Sequence, residues 1–99
     1  MELVSGVAHL HPEDTMLRAM LSGWAKQQLG GRLCRAGTVK SRAAMVKEFV
    51  EFAGTYPWDW SARMMDEWSA HLVGELGRAK STIRQKQGAV RMFCDYITS

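Results

Sequence analysis

Apolar residues recur along this chain with the spacing of helices. Met16, Leu17, Met20, Leu21, Trp24 and Leu29 form one such set, following "HPEDT" and preceding Gly30–Gly31. Pro12 suits a first helical position, Glu13 and Asp14 suit the positive end of the helix dipole, and the glycine pair can end the helix. A second helix is expected from near Thr38 to Gly54, with Val39, Arg42, Val46, Phe49 and Ala53 along one stripe. "TYPWDW" reads as a turn, because Pro57 disfavours helix at Tyr56. Ser61 can cap a third helix whose inner face holds Met65, Trp68 and Leu72. "GELGRAK" breaks the chain again, and Ser81 or Thr82 is expected to cap the fourth helix. No stretch alternates with period two, so no strand is expected.

The pattern therefore predicts an all-α domain, a bundle of two helical hairpins spanning residues 12–99, behind a flexible N-terminus at 1–11. The second helices of the two hairpins repeat one another. Thr38 meets Thr82, Val46 meets Val90 and Phe49 meets Phe93. Around these identities Val39 pairs with Ile83, Lys40 with Arg84, Arg42 with Lys86 and Lys47 with Arg91. A shared core accounts for the apolar matches and leaves the charged ones to be explained.

At 100° per residue, Ile83, Lys86, Val90, Phe93 and Ile97 share a stripe about 80° wide, the core side of the fourth helix. Arg84, Gly88 and Arg91 face away from it, as Lys40, Ala44 and Lys47 do on the second helix. Both copies thus present basic, small, basic. A small residue between long cations lets the helix backbone approach a phosphate surface that the cations reach. Thr38 and Ser41 in one copy, and Ser81, Thr82 and Gln85 in the other, add groups able to meet phosphate oxygens or base edges.

Charge is segregated in the same sense. The net charge is only +3, but residues 30–55 and 77–99 are basic while 1–29 and 56–76 are acidic. This suggests a polyanionic partner for the repeat. Hydrophobic content of 46% and charged content of 23%, in 99 residues, describe one ordinary globular domain. Cys34 and Cys94 fit free thiols in a reducing compartment, and no apolar run approaches the ~20 residues of a membrane span. A cytoplasmic location is expected. His9, His11 and His71 lack partners at ligand spacing, so no metal site and no cofactor are expected. Trp58 and Trp60 are expected to pack inside the interhelical turn. Neither cysteine has a His–Asp arrangement, and Asp66 and Glu67 point apart on a helix, so no active site is visible.

The segment "GTVKSRAAMVKEFVEFAGTYPWDWSARMMDEWSAHL", followed by "GRAKSTIRQKQGAVRMFCDYITS", resembles the N-terminal core-binding domain of tyrosine recombinases, the phage-integrase family. The likeness covers residues 16–99 and lies in an ordered set: a threonine-opened helix, a Pro-Trp-x-Trp turn, an acidic third helix and a second threonine-opened helix ending "FCDY". It implies a four-helix, SAM-like module that clamps one face of double-stranded DNA with its second and fourth helices during DNA integration and recombination. By position, Thr38, Lys40, Ser41, Arg42 and Lys47 would lie on one DNA-facing helix. Lys80, Ser81, Thr82, Arg84, Gln85, Gln87 and Arg91 would lie on the other. It further implies a C-terminal catalytic domain in the parent protein and other recombinase protomers as partners.

Two departures stand out. The family places tyrosine where this chain has Arg42 and Lys86, whose long stems are expected to lie on the core while their charges emerge at its edge. The family's catalytic arginines, histidines and nucleophilic tyrosine have no counterpart here, so the chain is not expected to be an enzyme. The alternative expectation is a helical protein–protein module indifferent to DNA. A weaker one is a helix-turn-helix regulator, which would use one recognition helix.

Overall fold

The structure, a computed structural model, describes residues 12–98. The expectation of a flexible segment at 1–11 lies outside the described residues. Among these residues are four α-helices: α1, Pro12–Lys26; α2, Ala36–Ala53; α3, Ala62–Gly74; and α4, Lys80–Thr98. Among the described residues there is no strand, so the chain is all-α as its periodicity predicts.

The repeat becomes the centre of the molecule. α2 and α4 share the most extensive contact between helices. Their matched residues are buried as matched pairs: Val39 with Ile83, Val46 with Val90, Phe49 with Phe93. Each side chain of this size contributes about 1.5–3 kcal/mol when taken out of water. Tryptophans complete the packing. Trp68 of α3 lies 4.9 Å from Phe49, and Trp24 of α1 lies 5.2 Å from Phe93, between ring centroids. Trp60, from the turn between the halves, touches both phenylalanines, at 4.6 Å and 6.3 Å.

The ends of the helices depart from expectation in instructive ways. α1 runs into a wider π-helical turn, Gln27–Gly31, closed by Arg32 N donating to Gln27 O at 3.1 Å. Leu29, expected on the inner face, is exposed, and Gln28 is buried to 2% exposure. Position 28 lies one helical turn beyond Trp24, on the same face, whatever residue occupies it. Burial of its amide is tolerated because both ends are satisfied: Nε2 donates to Trp24 O at 3.3 Å and Oε1 accepts from Arg42 at 2.9 Å. Met16, at the other end of that expected face, is also exposed.

α2 begins at Ala36, ahead of Thr38, and ends at Gly54, whose left-handed φ of 68° lets its N–H return to Val50 O. α4 begins at Lys80, with Ala79 O accepting the first helical bond from Ile83 N. Ser81 and Thr82 therefore sit inside the first turn and do not precede it as caps. Ser61 does cap α3, its hydroxyl accepting from Met64 N. Trp58, expected to pack inside, is 40% exposed. It stacks on Tyr56 and donates from Nε1 to Glu13 at 3.2 Å, while Tyr56 donates its hydroxyl proton to Asp14. The turn is thereby tied to the start of α1.

One backbone position is out of the ordinary. Leu33, in the link between the π turn and α2, has a φ of +54°. A non-glycine residue held there costs of order 1–3 kcal/mol.

Candidate nucleic-acid interface

Between α2 and α4 runs a groove of about 470 Å³, lined by Gly37, Thr38, Ser41, Arg42, Met45, Gln85, Gly88 and Met92. Four of the residues expected to meet DNA, namely Thr38, Ser41, Arg42 and Gln85, thus converge on one concavity. They do so because α2 and α4 each turn their apolar stripe inward, leaving the polar flanks of both helices beside one another. Gly37 and Gly88 also line it, and a Cβ at either would meet nothing within 4 Å.

Apart from Arg42, no cation lines the groove. Lys40, Ala44 and Lys47 are all exposed on α2, and Arg84 and Arg91 are exposed on α4 around half-buried Gly88. Lys80 and Ser81 are exposed at the start of α4, and Thr82 is half-buried. Among the described residues no ion pair engages Lys40, Lys47, Lys80, Arg84 or Arg91. Exposed cations outside ion pairs can attract a polyanion over the Debye length of about 10 Å.

Three expected contacts are differently employed. Gln87 Nε2 donates to Ser69 Oγ at 2.7 Å, and that hydroxyl donates to Met65 O at 2.8 Å, so this amide faces α3. Arg42 is half-buried, and its Nη1 donates to Gln28 Oε1 and to Cys34 Sγ at 3.7 Å. Arg91 borders a separate cavity of about 370 Å³ with Trp60, Ser61, Asp66 and Cys94. Burial and the charge of Asp95 push the Cys94 thiol up from its ordinary value, so it is a poor nucleophile. Lys86 corrects a further expectation. Its side chain is only 12% exposed and is ion-paired with Glu48 of α2, so it does not enlarge the basic surface.

The sequence did not single out Glu48 or Met45, and in it Met92 reads as a gap-filler rather than a groove residue. The two methionines follow from spacing once the α2–α4 contact is known; Glu48 follows only from where Lys86 ends up. Among the described residues no three His, Cys, Asp or Glu side chains gather as metal ligands, and no helix is long and apolar enough to cross a membrane. No family model, no curated protein and no solved structure matches the chain.

Proposed function

We propose that this chain is a double-stranded DNA-binding module that lays α2 and α4 against one face of the duplex. Its setting would be that of a core-binding domain in a site-specific tyrosine recombinase, acting with a catalytic domain and with further protomers on DNA. The observation that carries the reading is the pairing of the two copies. The helices that repeat in sequence pack side by side, Lys40, Lys47, Lys80, Arg84 and Arg91 are exposed and, among the described residues, free of ion pairs, and hydroxyl and amide groups line the groove between the helices. Lysine and arginine supply a sequence-independent attraction to phosphate, while Ser41 and Gln85 are placed where a base edge or sugar-phosphate oxygen could be met. With a handful of phosphates neutralised, affinity falls in the ~10⁻⁴–10⁻⁶ M range of nonspecific association.

The test is a titration of isotope-labelled protein with a short duplex, following backbone amide shifts at low and moderate salt. Shifts concentrated at residues 38–47 and 80–91, fading as salt rises, are expected. A folded protein whose amides do not move at low salt overturns the reading. A second reading, docking of a helical protein, draws on Val73 and Leu76, exposed by 60% and 45% at the end of α3. Under that reading a partner would perturb residues 72–77 and leave the basic helices unchanged.

A further inference from the structure

Leu33 combines two unfavourable features at one position. Its backbone is left-handed, with φ +54°, and its side chain is 84% exposed. Glycine or asparagine would make the same turn with less strain and no apolar surface in water. The conformation is held from both sides. Arg32 N donates to Gln27 O at 3.1 Å and Cys34 N donates to Gln28 O at 2.8 Å, so Leu33 cannot relax without loosening a neighbour. Gln28 is itself fixed in the core by Trp24 O and Arg42. The link, bonded on both sides of Leu33, thus carries a leucine on its tip.

The surroundings indicate what covers that tip. Arg32 and Arg35 flank it and are both exposed, while Cys34 is turned inward to Arg42. α2 begins at Ala36, so Leu33 stands within about 18 Å of Thr38 at the head of the basic helix, by chain reach alone. Arginine, leucine, arginine on a fixed loop is the chemistry of a wedge: the cations grip phosphates on either side of the narrow groove, and the leucine enters between two base pairs.

Building on the DNA reading above, we infer that the 32–35 loop is a second DNA contact, in which Leu33 inserts into the minor groove beside α2 and partly unstacks a base step. The strain at Leu33 is then the cost of holding the wedge erect before DNA arrives. A flexible pyrimidine–purine step is the preferred site, because it unstacks most readily. The duplex bends away from the loop, and the basic helices hold it there.

The experiment uses duplexes carrying 2-aminopurine at a central TA step and a dye at each end. Wild-type protein is expected to raise the 2-aminopurine fluorescence and shorten the end-to-end distance. Leu33→Gly should abolish both responses and weaken binding by roughly tenfold, the order set by one apolar contact to a base step. It should leave the salt dependence unchanged, since no charge is removed, and should raise the melting temperature because glycine accepts a positive φ. Leu33→Met should keep both responses. Arg32→Ala should weaken binding and flatten the salt slope by about one phosphate. Duplex that shifts the amides of α2 and α4 without unstacking or bending overturns the wedge and leaves the DNA reading standing. Leu33→Gly that unstacks and bends like wild type does the same. A wild-type protein that binds no duplex overturns both.

Discussion

Lys86 of α4 is ion-paired with Glu48 of α2 across the interface between the repeated helices. Its counterpart in the first copy, Arg42, instead meets the neutral amide of Gln28. One position of the repeat is thus used twice as a tether, once to the partner helix and once to the π turn. The pair is asymmetric in exposure, with Lys86 nearly enclosed and Glu48 at the rim. Removing the carboxylate leaves an enclosed ammonium without its counter-charge. Glu48→Gln should therefore cost about 1–3 kcal/mol in urea denaturation, whereas the double change with Lys86→Met should recover most of the loss.

The outer cations should behave oppositely. Among the described residues Lys40 and Arg84 form no ion pair, so Lys40→Ala and Arg84→Ala should leave the urea midpoint within about 0.5 kcal/mol of wild type. Each should lower the slope of log affinity against log salt by about 1. Fluorescence anisotropy of a labelled duplex at several salt concentrations measures both. Equal slopes in wild type and both variants would remove these side chains from the interface.

Gly23 of α1 faces Tyr96 of α4. A methyl group there would collide with the hydroxyl of Tyr96. Alanine in a helix otherwise gains about 1 kcal/mol over glycine, so the two effects compete. A rigid ring cannot swing aside as a lysine would, and the clash should win by about 1–3 kcal/mol. Gly23→Ala should lower the thermal midpoint, and adding Tyr96→Phe should restore part of it, because only the ring oxygen is in the way. Additive losses in the double variant would show that the contact is not the cause.

The Tyr56 phenol is pushed up to about 12 from 10.0, first by its hydrogen bond to Asp14, then by desolvation and the charges of Asp14 and Glu13. The folded chain holds this proton more tightly than the unfolded chain. The contribution to stability is therefore complete below pH 10 and is lost as pH rises through 12. Absorbance titration should show a tyrosinate signal near pH 12 that Tyr56→Phe removes. The variant should also flatten the fall in stability over that interval.

Much of this was open to a reader of the chain. The repeat exposed Val46 and Val90, and Phe49 and Phe93, as paired core positions, and burial follows from helical spacing alone. Gly54 and Ser61 announced a stop and a start through local chemistry that needs no tertiary context. The convergence of Thr38, Ser41 and Gln85 also followed, because matched stripes must turn matched flanks to one side. What stayed hidden depends on how helices cross. Gln87 lies within reach of Ser69, and Lys86 within reach of Glu48, only once α4 is set against its neighbours. Gln28 was hidden for a different reason: a polar residue at a core position is read as a break in the pattern, and only its two partners make it acceptable there. The helix starts shifted for want of any strong local signal, since Arg35 caps α2 without a side-chain bond.

The place of Trp60 has a consequence for how the molecule can be divided. Phe49 rests on Trp60, at the end of the central turn, and on Trp68 beyond it, while Phe93 rests on Trp24, from before the turn, and on Trp60. Phe49 therefore has both of its tryptophans in the other half of the duplicated sequence, and Phe93 has one of its two there. A cut at Gly54 would yield two fragments, one with a bare Phe49 and the other with Phe93 left on Trp60 alone, and neither would be a smaller copy of the whole. Mixed together, they have complementary surfaces to rebuild one core. What was written as a duplication is folded as an interlock.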